Sequence, residues 1–309
     1  MTARTGADNA TWVHPFGAAA EGDWSVAITA QTPGWRHTSL RLAQIDPGAT
    51  VRHDLAGEEA VVVPLVGGCA VEVFTGGQTW TAVLAGRASV FAGPSDVVYV
   101  PAGAHVQLRN DGRTPVRVAV CGARVDAPTG REPSHLAAVD VPVELRGAGR
   151  CSREVRNFGT PGVLDADQII ACEVITPAGG WSSYPPHKHD EHREGVEAEL
   201  EEIYYFEIAD GPDGTPGFGY HRVYGTPERP IEVLEEVRSG DVVLVPHGYH
   251  GPSIAAPGYH MYYLNVMAGP GDERAWLICD DPAHTWLRGS WEHQDVDPRL
   301  PLHENPSQG

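Results

Sequence analysis

The stretch SSYPPHKHDEHREGVEAELEE, Ser182–Glu202, decides how this chain is read. It sets His187 and His189 two residues apart, and alternate residues of an extended strand project from one face, so two imidazoles point into one space. Thirteen residues after His189, Glu202 opens the strand-like run EIYYFEI. Much later Pro246-His247-Gly248-Tyr249-His250 supplies a third histidine at the end of the apolar run DVVLV. Three imidazoles and one carboxylate (His187, His189, His250 and Glu202) suit a first-row divalent metal. The choice between Glu201 and Glu202 turns on strand phase.

Outward from that stretch, the apolar segments are short and bounded by turn residues, with 36 Gly and 26 Pro in 309 residues. Ser39–Ile45, Ala60–Val66, Cys69–Phe74, Ser89–Phe91, Asp96–Val100 and Val116–Val120 read as strands, and no long stretch carries a helical period. An all-β sandwich or barrel with little helix is expected. Ala127–Pro142 reads as a linker between residues 1–140 and 141–309, and the two halves resume one pattern. Glu59 and the run after it align with Glu202 and its run, and Pro101-Ala-Gly-Ala-His105 aligns with Pro246–His250. The first half has no His-x-His before Glu59. With Glu59, His105 and His53 alone it is expected to be a scaffold, the metal site lying only in the second half.

Charge and cysteine usage narrow the function. Lys plus Arg number 22 against 41 Asp plus Glu, a balance of −19 that argues against nucleic acid as a partner. Five scattered cysteines without a CxxC pair indicate neither a disulfide framework nor a cysteine zinc site, and fit a reducing cytoplasm. The opening MTARTGADNATWVHPFG has no apolar core of signal-peptide length, and no apolar run approaches the roughly 20 residues of a membrane span.

His-x-His, then Glu, then G-x(5)-P-x-G-x-H resembles the two cupin motifs. The strings YPPHKHD, LEEIYYFEI, PHGYHGPS and DDPAHTW resemble the 5-deoxy-glucuronate isomerase family, bicupins of myo-inositol degradation. The resemblance implies two tandem jelly-roll cupin barrels and a small sugar-acid substrate. It also implies one divalent metal (zinc first, with manganese, iron or nickel as alternatives) and a homodimer or higher homo-oligomer. The His-x-His to Glu spacing of 12 intervening residues is longer than the usual cupin spacing, and the insertion DEHREGVEAELE reads as a polar loop at the barrel mouth.

The remaining candidates surround this set. Lys188 is the only lysine in the chain. Desolvated, it could serve as acid, base or carboxylate partner; lying between two inward histidines of a regular strand, it would instead point away from the metal. His221 and Tyr220 are candidates for proton transfer and Arg222 for a bidentate grip on a substrate carboxylate, against a reading in which all three merely decorate a strand. Asp281, His284 and Trp286 match the family string, and either close over the pocket or pack. The reaction implied is aldose–ketose isomerisation, in which a hydrogen moves between adjacent carbons with no net redox change. A related deoxy-uronate ketol-isomerase of pectin breakdown and a cupin dioxygenase are the alternatives.

Overall fold

The computed structural model describes residues 6–304. The protein is mostly β, and its α-helices among the described residues are the single turns Asn9–Trp12 and Trp286–Ser290. In the first half the central element is the long strand Glu58–Thr75. Its first part pairs with Val97–Val100 and Val116–Arg124, its second with Gln78–Arg87 and His105–Arg109. It passes from one sheet to the other at Gly67-Gly68. Gly67 has φ +72°, and a Cβ on Gly68 would strike the Leu84 and Ala85 carbonyls, so the corner requires glycine.

The second half repeats the plan. One sheet carries Val242–Val245, Glu201–Ile208, Met261–Ala268, Ile170–Thr176, Arg153–Gly159 and Val143–Arg146; the other carries Glu232–Val237, Gly219–Tyr224, Tyr249–Ala255, His187–Lys188 and Cys279–Asp280. Each barrel has its own apolar core, and a third core joins them. This explains why all eight residues of Glu201–Ile208 are buried. Tyr204 and Phe206 face the barrel interior while Ile203 and Tyr205 face the other half, so both faces of the strand leave water.

Three readings of the sequence are corrected. Ser89–Phe91 is not a strand: Ser89 caps a 3₁₀ turn at Val90–Ala92, its hydroxyl accepting from the Phe91 N–H. Ala127–Pro142 is not a bare linker, since Ser134–Leu136 adds a strand to Val97–Val100. The insertion after His189, read as a polar loop, is instead a hairpin, Asp190–Arg193 against Glu197–Glu199. At the other end of the chain, Val13–His14 pairs with Val242 and Val243, so this early segment lies on the sheet of the second half.

The repeat itself is displaced by one residue. Ala60 pairs with Val100 and Glu202 with Val245, each directly before the matching proline, Pro101 or Pro246. Ala60 is therefore the counterpart of Glu202, and Glu59 that of Glu201. The two outward glutamates do equivalent work. Glu59 accepts the N–H groups of Asp167, Gln168 and Ile169 from the second half; Glu201 accepts those of Arg36, His37 and Thr38 from the first. Each carboxylate caps the backbone entering the opposite barrel and so ties the halves together.

Candidate metal centre

Strand phase puts Glu202 on the interior face of one sheet, and the other sheet supplies the histidines. His187 pairs directly with His250 across neighbouring antiparallel strands. That register depends on Gly251, at φ +100°, where a Cβ would collide with the Ser183 carbonyl; glycine lets the Ser182–His189 stretch close onto the His250 strand. The three ring centroids lie 4.5, 4.7 and 6.2 Å apart, and the donor nitrogens all fall within 4.8 Å of one another. Among the described residues this is the only group of three or more His, Cys, Asp or Glu side chains so placed.

The tautomers follow from the backbone. Nδ1 of His187, His189 and His250 faces the carbonyls of Pro185, Leu200 and Gly248 at 3.5, 3.1 and 3.3 Å. A carbonyl can only accept, so each Nδ1 carries the hydrogen and each Nε2 turns a lone pair to the interior. Glu202 Oε2 stands 2.9 Å from His189 Nε2 and 3.1 Å from His250 Nε2, the latter without hydrogen-bond alignment. Metal–ligand bonds of about 2.0–2.2 Å set neighbouring donor atoms roughly 3–3.5 Å apart, so this crowding of lone pairs around one carboxylate fits a bound cation. Burial opposes charge on Glu202, yet His250 and His189 hold its carboxyl well below the usual range. Burial, reinforced by His250 and His189, keeps His187 neutral, the state a ligand requires.

Among the described residues the first half holds no such set. Ala60 occupies the carboxylate position, and His105 is exposed beside Asp54 at 3.4 Å. His53 is edge-on to Trp24.

Of the other sequence candidates, one reaches the barrel interior. His221 is fully buried against Tyr204, its Nδ1 2.8 Å from Ser253 Oγ and its Nε2 without a partner; burial pushes it down to about 3. Its neighbours face outward by alternation. Tyr220 is exposed and donates to Glu236, and Arg222 lies over the Tyr224 ring and pairs with Glu232. Lys188 points away from the histidines into a cluster, donating to Asp190 at 2.6 Å and Glu197 at 2.8 Å. Asp281 accepts from Tyr224, and its own N–H donates to the Pro186 carbonyl, which fixes the closing segment beside His187. His284 stands 6.0 Å from the Tyr184 ring, and Trp286 is 67% exposed.

His187 and Glu202 open into a cavity of about 160 Å³. Larger surface cavities lie elsewhere, one of about 260 Å³ lined in part by residues 269–275, but among the described residues none contains a comparable donor set. Sequence reasoning missed most of the cavity wall. Ser183 Oγ lies 3.1 Å from the hydroxyls of both Tyr204 and Tyr263, Asn265 borders them, and Arg146, Arg153 and Arg288 supply positive charge. One signal was available: RGAGRCSREVR, Arg146–Arg156, puts four arginines in 11 residues of an acidic chain.

Fold and site together define a bicupin whose second barrel carries a histidine-rich donor set able to hold a metal ion. Residues 12–287 match the KduI/IolB family, and the chain belongs to it. It is 40% identical over 267 residues to the 5-deoxy-glucuronate isomerase of Geobacillus thermodenitrificans, covering 86% of this chain and 91% of that one. The corresponding enzyme of Halalkalibacterium halodurans is 36% identical over 263 residues, covering 84% and 91%. An IolB-like protein from Salmonella typhimurium superposes with a TM-score of 0.78 at 31% identity, covering 89% of this chain and 98% of that one. Oxalate decarboxylase of Lactobacillus farciminis shares the fold alone, at 12% identity and a TM-score of 0.60 over 87% and 88% of the chains. No helix among the described residues is long and apolar enough to cross a membrane.

Proposed function

We propose that this protein is a 5-deoxy-glucuronate isomerase, converting the aldehyde acid to its ketose isomer, 2-deoxy-5-keto-gluconate, in myo-inositol degradation. The observation that carries the reading is the convergence of His187, His189, His250 and Glu202 on one another, with His187 and Glu202 opening into one small cavity, in a chain 40% identical to enzymes of that name. A divalent ion held by those four residues, zinc by preference, would supply Lewis-acid polarisation of the substrate carbonyl and the adjacent hydroxyl. The protein's own groups bind around it. Burial pushes Tyr263 up to about 12 and Tyr204 well above the ordinary range, so both keep their protons and, with Ser183, present neutral hydroxyls to the sugar oxygens. His221, kept neutral by burial, backs Tyr204 and is the interior residue proposed for proton transfer.

Separate barrel cores support a division near residue 140, with the metal site in the second half. A cytoplasmic homodimer completes the proposal; all five cysteines are free thiols. The test is anaerobic incubation of the zinc-loaded protein with 5-deoxy-glucuronate in deuterated water, followed by proton NMR. Accumulation of the ketose acid without oxygen is the expected result, with deuterium at the former aldehyde carbon marking proton transfer. No conversion would overturn the assignment.

A further inference from the structure

The cavity that exposes His187 and Glu202 is bordered on another side by three arginines in a protein of net charge −19. Arg146 and Arg153 are direct partners on adjacent antiparallel strands, an arrangement of like charges that costs stability unless a negative group lies between or beside them. Two of the three are neutralised. Arg146 pairs with Glu144 at 2.8 Å, and Arg288 is doubly bonded to Asp280.

Arg153 has no carboxylate within ion-pair distance among the described residues. Its Nη1 donates to the Cys151 carbonyl at 3.1 Å, and its guanidinium stands 5.6 Å from the centre of the Trp291 ring. Gly147, at φ +75°, allows this placement, because a Cβ there would lie 2.7 Å from Nη1. Burial, joined by Arg146 and Arg288 and only partly opposed by Tyr263, presses Arg153 below the usual arginine range. Two further donors on the same wall are unpartnered: Nδ2 of Asn265, a residue only 3% exposed, and Trp276 Nε1.

We infer that Arg153 is the anchor for the substrate's carboxylate, the anion filling the vacant half of the guanidinium fork while the carbonyl end of the sugar faces the histidines. The inference rests on the isomerase reading, and it replaces Arg222, which faces away from the barrel interior. It makes Arg153 the residue that selects a sugar acid over a neutral sugar. Asn265 and Trp276 then donate to oxygens along the chain of the sugar.

The experiment compares zinc-loaded wild type, Arg153→Gln and Arg153→Lys on 5-deoxy-glucuronate and on 5-deoxyglucose, which has an alcohol in place of the carboxylate. In Arg153→Gln, KM for the acid should rise on the order of 10²–10³-fold with kcat and zinc content little changed, and the acid-to-alcohol preference should vanish. An unchanged preference in that variant, with zinc in place, overturns the inference. If Arg153→Gln fails to fold, Arg153→Lys decides. It keeps the charge without the fork and should lose at least 10-fold of the preference; full retention overturns the inference. If wild type does not convert 5-deoxy-glucuronate, the isomerase reading fails on its own. Calorimetry with D-glucuronate then tests the anchor: binding to wild type but not to Arg153→Gln supports it, and equal binding or none to wild type overturns it.

Discussion

Glu202→Gln is expected to reduce turnover by about 10³-fold or more, on the order of 4 kcal/mol of lost stabilisation, and to release the metal on dialysis. Gln keeps the size of the side chain and one oxygen, so strand pairing with Val245 and Met267 is unaffected. What disappears is the negative charge that faces both His189 and His250. A neutral amide binds a divalent cation far more weakly than a carboxylate, and its NH₂ group would point donors at lone pairs already turned inward. Metal analysis after gel filtration, alongside kcat/KM, measures both effects. Glu201→Gln provides the contrast. Its carboxylate faces the first half, so zinc should remain and the loss should fall on stability.

Lys188→Met is expected to destabilise the fold by about 3 kcal/mol and to weaken metal binding roughly 10- to 100-fold. Lys188 sits between Asp190 and Glu197, and Asp190 Oδ2 also accepts the Gly248 N–H at 2.8 Å. One ammonium therefore neutralises carboxylates that fix both the His189 segment and the turn leading to His250. Methionine fills the volume and leaves two negative charges with less compensation. The sign of the pH dependence follows. Burial opposes ionisation of Asp190 and Glu197, but Lys188 and their other partners hold both below 3.8 and 4.5. Their contribution is thus present above the unfolded values and lost as pH falls through the folded ones. The gap in unfolding free energy between wild type and variant should be widest near neutrality and should close below about pH 4. Were Lys188 a proton-transfer group, the variant would lose kcat with stability and zinc intact.

Period-two alternation governed what could be read from the sequence. It set His187 and His189 on one side and Lys188 on the other, and the structure has this arrangement. The same rule forbids Tyr220, His221 and Arg222 from sharing a face; once His221 packs inside, the other two must lie outside. The repeat was legible in its strand order but not in its register. A Glu-Glu doublet at 201 and 202 faced a Glu-Glu doublet at 58 and 59, and a slip of one residue exchanges interior and exterior. Only the pairing of Ala60 with Val100 identifies which carboxylate the first barrel lacks. The arginine wall left little trace because residues 146, 153 and 288 meet through a strand pair and a distant helix, with no motif spacing to link them.

The measurement that tests the central claim most directly is turnover of 5-deoxy-glucuronate by chelator-stripped protein during stepwise addition of zinc. Activity should be absent at the start, rise in proportion to added metal and level off at one equivalent per chain. Undiminished turnover by the stripped protein, or a break at two equivalents, would contradict a single centre built from His187, His189, Glu202 and His250.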